Sequence, residues 1–378
     1  MNHAPIMKPL LSKASQVHPA AGITKSAGFS LAELMIAMVI GVTLMGGVLQ
    51  VAVTSKTSHV VGEELTRLQE SGRFAVDVLT DGIREAGYLG FAIADGSITP
   101  NVTANPAPAY PFDSANMLRG YSWNGSSWSP STPAISTDLG TLVANTDLIS
   151  IQHGGSCGGQ LIASQSQSNN PIKINQGNTC NIGPGDVVVI SDYTNTDIFR
   201  VTSTNNSGAA MLNVVHTVAG GANTTNNLGS TYGTDSELLK VRSSTYFIRN
   251  GANGSPALWR FSNNIAAGGT NPEELVEGVE DMEILYGEDT DATGTTGYGT
   301  ANQYVDAASV GSWANVVSVR LALLMKTSSD ILDNPQDYTF LANTASTTVA
   351  AATAVTPTDN AVRRTFSTTV QIRNRGLE

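Results

Sequence analysis

The chain has 378 residues, only 13% of them charged, and a formal net charge of −11. Beyond Gly28 the balance is 17 basic to 31 acidic side chains, or −14, a surface that does not favour nucleic acid or an anionic membrane face as partners. Low charge with abundant Gly, Ser, Thr and Asn is the texture of exported β-rich proteins rather than cytosolic enzymes, and the length fits one β-rich domain carrying a long helix, or two domains.

Residues 1–28 hold Lys8, Lys13 and Lys25 and no acid, which by the positive-inside rule keeps this end cytoplasmic and sends the remainder across. A 25-residue apolar run follows, Phe29 to Val53, whose only ionisable side chain is Glu33. As a helix it is long enough to cross a bilayer. A carboxylate costs roughly 2.5–3.5 kcal/mol at mid-bilayer and less toward the interface, so Glu33 calls for a positively charged partner. Nothing basic lies within the run. A cut after Gly28 would, however, give Phe29 a free amine four residues from Glu33. Gly41, Gly46 and Gly47 interrupt the run, and either permit close helix approach, permit unwinding, or are simply tolerated in a membrane span.

Val61, Leu65, Leu68, Gly72, Ala75, Leu79, Ile83 and Ala86 then recur at spacings of three and four, predicting that the helix continues as an amphipathic one over residues 54–90. Gly87 and Gly90 mark its stop. Residues 95–140, rich in Pro, Ser, Asn and Gly, read as long loops with few regular elements. Short β runs are expected at Asp147–Gln152, Asp186–Ser191, Ile198–Thr202 and Met211–His216. Tyr246–Ile248 and Leu258–Phe261 flank Asn250–Gly254 as a hairpin. Val316–Met325 and Arg364–Arg373 are the clearest alternating strands, with the Ala/Thr-rich stretch 341–360 between them expected as a surface loop. The whole is an α+β fold: one long N-terminal helix and a loop-rich antiparallel β head over 91–378.

No catalytic constellation is present. His3, His18, His59, His153 and His216 are scattered, and neither a P-loop nor a GxGxxG motif occurs. The two cysteines, Cys157 and Cys180, fall in the exported segment and read as one disulfide, closing a loop worth roughly 3 kcal/mol. Asp289, Asp291 and Thr293 offer oxygens at the alternate spacing with which a calcium loop opens, before Gly294. Thr300 stands where a bidentate Glu would close it, so a solvated acidic turn is the main expectation and a structural calcium the alternative. No cofactor is expected.

Gly28-Phe29-Ser30-Leu31-Ala32-Glu33-Leu34, followed at once by the apolar run, resembles the class III leader of type IV pilins and type II secretion pseudopilins. Four further stretches, Arg84–Phe91, Leu275–Gly287, Val316–Leu324 and Arg363–Arg375, narrow the resemblance to the PilW family of minor pilins. The resemblance implies that a prepilin peptidase removes residues 1–28 between Gly28 and Phe29. Phe29 would then be N-methylated, and Glu33 would guide assembly. It further implies a single-pass inner-membrane protein with a periplasmic head that passes into a pilus. There it would help to initiate assembly at or near the tip, supporting twitching motility and adhesion. The partners would be other minor pilins, the major pilin, the inner-membrane assembly platform and a large tip adhesin. A pseudopilin of a secretion system, or a displayed adhesive module, is the alternative.

Overall fold

The computed structural model describes residues 28–90, 97–102, 117–131, 134–206, 210–263, 269–340 and 354–375. They form two units divided between His59 and Val60.

A single helix, α1, spans Leu31–Glu85. No proline interrupts it, and Gly41, Gly46 and Gly47 stay within it. The hydroxyls of Thr43, Thr54, Thr57 and Thr66 donate back to carbonyls one turn earlier, so these polar groups need no outside partner. The helix ends at Glu85, five residues short of the pattern's outer limit at residue 90 and just before Gly87 and Gly90. Both adopt positive φ (76° and 81°), a conformation glycine enters without the Cβ penalty. Its end is clasped onto the head, because Gly87 donates its N–H to the Gln152 carbonyl and Gly154 donates to the Tyr88 carbonyl at 2.6 Å.

The head's first sheet holds β1 (Ser97–Pro100), β2 (Leu118–Trp123), β3 (Trp128–Ser129), β4 (Leu148–Ala163), β5 (Ile172–Asn175) and β6 (Val187–Ser191). It continues with β7 (Asn195–Arg200), β8 (Ser203–Asn206), β9 (Met211–Val215), β10 (Glu237–Asn250), β11 (Pro256–Ser262) and β12 (Glu273–Glu277). Its spine is the antiparallel pair β4 and β10, each long enough to serve two neighbours on its outer edge. The first half of β10 pairs with β6 and the second half with β11. Likewise β4 pairs with β2 near its start and β5 near its end. One wing therefore runs β1-β7-β6-β10-β4-β5-β9-β8, and the other adds β3-β2 and β11-β12. The β10–β11 hairpin is the one expected around Asn250–Gly254.

The second sheet contains β13 (Val279–Glu288), β14 (Gln303–Val305), β15 (Val316–Lys326) and β18 (Arg363–Gln371), in the antiparallel order β14-β13-β15-β18. A two-residue pair, β16 (Tyr338–Thr339) with β17 (Ala354–Val355), forms a small sheet of its own, with the Tyr338 ring beside Arg363 of β18. Within the expected surface loop 341–360, residues 354–355 are thus strand; 341–353 lie outside the described residues. Residues 95–140, expected as loops with few regular elements, contribute the short strands β1, β2 and β3 among the described residues, and the expected strand at Ile198–Thr202 begins earlier, at Asn195. In β15, Val317, Val319, Leu321 and Leu323 share a side, yet the opposite side is also largely covered, Ala322 and Leu324 being buried.

Leu68, Ala75, Leu79 and Ile83 of α1 enter one core with Ile149, Ile151, Tyr246 and Ile248 of the first sheet and Met282, Ile284, Val319, Leu321 and Leu323 of the second. Each fully buried Leu, Ile, Val or Met side chain among them contributes about 1.5–3 kcal/mol by leaving water. Gly72 is required by this packing, since a methyl group there would overlap the Phe366 ring.

Asp147 stitches the two sheets together. Its N–H donates to the Met282 carbonyl at 2.8 Å, while its carboxylate oxygens accept from the N–H groups of Ile284 (2.9 Å) and Trp123 (3.3 Å). Burial pushes its carboxyl up to about 8 against the pull of those two donors. Nearby Asp281 and Glu283 are also raised by burial, to about 7 and about 10. These acids keep their protons in the folded head after the unfolded chain has lost them, so their contribution is full below about pH 4 and is lost as pH rises to about 7 for Asp281, about 8 for Asp147 and about 10 for Glu283. His153 and His216, both lowered by burial, act in the opposite sense below about pH 6.5. Comparison of Asp147→Asn with the parent isolates the acid. The expected outcome is a shallower fall in Tm between pH 5 and pH 8 for the variant, measured by thermal unfolding across that range.

Candidate assembly site

The head of α1 is built by a reciprocal cap. Ser30 accepts at its Oγ from the Glu33 N–H at 3.2 Å, while Glu33 accepts at Oε2 from the Ser30 N–H at 2.8 Å. This is a capping box, in which a Ser and a Glu three residues later satisfy two N–H groups that the first turn would otherwise leave unpaired. The acid also sits in the first turn, where the helix dipole favours negative charge. Glu33 therefore has a local role that the apolar pattern alone did not disclose, although Ser30-Leu31-Ala32-Glu33 spells it. Gly28 and Phe29 precede the helix in non-regular backbone, and Phe29 is 88% exposed. The side chains of Leu34, Met35, Ile36, Met38, Val39 and Ile40 are all more than half exposed, an apolar surface presented on every side of the helix. By length and composition α1 contains a segment able to cross a membrane.

Cys157 on β4 and Cys180, beyond β5, are disulfide-bonded. The bond lies in a second apolar cluster with Leu161, Ile174, Ile182 and Leu238, so both sulfurs are buried. The Thr179 N–H and hydroxyl both donate to the Cys157 carbonyl, holding the far end of the loop in place.

In the acidic turn, Asp289 accepts from the N–H groups of Asp291 (2.9 Å) and Gly299 (2.6 Å), and Asp291 accepts from the Asn302 side-chain amide at 2.9 Å. Glu288 accepts from the N–H groups of Gly311 and Ser312. These carboxylates brace their own loop, and Thr293 is exposed. Among the described residues no group of three or more His, Cys, Asp or Glu side chains is placed to hold a metal ion. Of the described histidines, His153 lies 3.4 Å from Glu85 at the end of α1, and His216 stacks near Phe199 in the second cluster.

The family model described as type IV pilus-assembly protein W matches residues 245–374, from the second half of β10 through β18. The model for the prokaryotic N-terminal methylation motif matches residues 23–49. Both describe pilin-type, non-enzymatic proteins. No curated protein matches the chain. Among solved structures, a type IV-like pilin from Thermus thermophilus is similar over 51% of this chain and 86% of its own, at 16% identity and a TM-score of 0.22.

Proposed function

We propose that this chain, a member of the type IV pilus-assembly protein W family by its residues 245–374 and a carrier of the methylation motif over 23–49, is a minor pilin that helps to initiate a type IV pilus. The observation that carries the reading is the register of Gly28, Phe29 and Glu33 at the head of an apolar helix inside that motif. Before assembly the apolar half of α1 anchors the protein in the inner membrane with the head outside the cytoplasm. A prepilin peptidase cuts between Gly28 and Phe29, the new amine is methylated, and the subunit leaves the bilayer for a filament of packed helices. Other minor pilins, the major pilin and the assembly platform are its partners, and its place is at or near the filament tip, in support of motility and adhesion.

In a filament core an unpaired carboxylate is strongly disfavoured. The amine of Phe29 on a neighbouring subunit neutralises Glu33 and fixes the axial stagger between the two chains. Processing is the first test. Mass spectrometry of the mature protein is expected to find a methylated Phe29 at the N-terminus, and Gly28→Glu is expected to leave the precursor uncut in the membrane. A mature start at any other residue overturns the reading.

A further inference from the structure

The second sheet ends in an edge with no strand beyond it among the described residues. β18 pairs with β15 over nine unbroken residue pairs, Ser318 with Gln371 through Lys326 with Arg363. The Ile372 N–H donates to the Val317 carbonyl, so the even-numbered residues of β18 direct their backbone groups toward β15. Thr365, Ser367, Thr369 and Gln371 must then direct theirs outward, because backbone direction alternates along a strand. All four are exposed. Just beyond them the Arg373 N–H, of the same parity, donates to the Arg84 carbonyl at the end of α1, which closes that end of the edge.

The other sheet ends carry the protections expected of an exposed edge: β3, β8 and β14 are at most four residues long, β1 ends in Pro100, and β12 carries Glu273, Glu274 and Glu277. β18 has no bulge, no proline and no acid. It is instead basic on an acidic chain. No Asp or Glu occurs between residues 361 and 375, and exposed Arg364 and Arg373 bracket the free edge without an ion pair among the described residues. Their Cα atoms stand roughly 30 Å apart along the strand. Beside the edge, Arg320, Thr339, Phe340, Thr365, Ser367 and Thr369 line an open groove, where alternate side chains of an added strand would fall.

We propose that the outer edge of β18 is a docking edge for an extended segment of a different polypeptide, added as a further strand, with acidic residues meeting Arg364 and Arg373. Backbone hydrogen bonds to residues 365–371 supply the attachment, and the two arginines and the groove supply selectivity. A second copy of this strand is the poorer occupant. Paired antiparallel along its full length, it brings a second arginine-bearing strand with no Asp or Glu against the first, so positive charge meets only positive charge and that pairing is disfavoured. The inference rests on the sheet geometry and stands whether or not the chain is a pilus subunit.

The test uses the full chain in detergent and a twelve-residue synthetic peptide of alternating Val and Thr with Glu at positions one and ten, against the same peptide with Lys there. The Glu peptide is expected to bind and to slow hydrogen exchange at the amides of Thr365, Ser367, Thr369 and Gln371. The Lys peptide is expected to bind at least about tenfold more weakly, and Arg364→Glu with Arg373→Glu to reverse that order at unchanged Tm. Equal binding of the two peptides, or no protection of the four amides, overturns the proposal. Protection of those amides by the chain alone, rising with its concentration together with a dimer in sedimentation, overturns it in favour of a second copy.

Discussion

Glu33→Gln is expected to abolish entry of this protein into filaments while Ser30→Ala leaves entry near the parental level. The two substitutions divide the roles that Glu33 combines. Gln at that position can still accept the Ser30 N–H and so keeps the capping box, but it carries no charge. Ala at position 30 deletes the Oγ that accepts the Glu33 N–H, costs about 1 kcal/mol at the helix end, and leaves the charge in place. If Glu33 is the counter-ion of a neighbouring chain's amine, its neutralisation strands that amine in a packed core, at a cost of about 3–5 kcal/mol. That corresponds to a loss of incorporation of more than about a hundredfold. The measurement is the amount of this protein in sheared filaments, together with filament number, from cells producing each variant at the parental level. Both variants should still be cut at Gly28 and held in the membrane, because neither touches the cut site or the apolar run. Equal incorporation of both would reduce Glu33 to a helix cap, and the assembly role would be withdrawn.

The head is expected to be most sensitive, per atom added, at Gly159. This residue pairs with Leu238 across β4 and β10, beside the register shift between Leu238 and Lys240. A methyl group at Gly159 would overlap the Leu238 carbonyl oxygen, and it would also lie 3.2 Å from the Cys180 sulfur. The main chain of a central strand cannot swing aside as a flexible side chain can, so the spine itself must part. Gly159→Ala should therefore destabilise the head by about 3 kcal/mol or more and lower the yield of the Cys157–Cys180 bond. Two neighbouring glycines provide the scale. Gly183 has open space and ordinary backbone, so Gly183→Ala should be silent. Gly158 also has open space, but its φ is +71°, so Gly158→Ala should cost only the backbone penalty of about 1–2 kcal/mol. Thermal unfolding of the three variants, with a count of free thiols, orders them. A Gly159→Ala protein as stable as Gly183→Ala would show that β4 and β10 do not meet in the register described.

The helix was readable because its evidence is local and periodic. The apolar run, the repeat of small and apolar residues from Leu65 to Ala86, and the glycines that end it all act within a few residues of one another. The same holds for the strands at Met211 and Val316 and for the hairpin around Asn250–Gly254. The Ser30–Glu33 cap is local too, a Ser and a Glu three residues apart at the head of the helix. The bond between Cys157 and Cys180 was readable from an even count together with their place in an exported segment.

Other features depended on residues far apart in sequence. Nothing around Asp147 announces that its carboxylate will accept the N–H of Ile284, because that bond exists only when the edge of β13 arrives there. The first half of β10, Glu237 to Ser243, is a strand through partners distant in sequence, β4 on one edge and β6 on the other. The carboxylates of Asp289 and Asp291 have calcium-loop spacing, and only the folded turn shows their oxygens accepting from Gly299 and Asn302. The place of β18 at the end of its sheet, with no strand beyond it among the described residues, is tertiary in the same way. Its alternating pattern specifies a strand, but a strand's hydrogen-bonding groups lie in the plane of the sheet, on both sides, and carry no side-chain signature. Which side pairs with β15 was decided by the order of strands in the sheet.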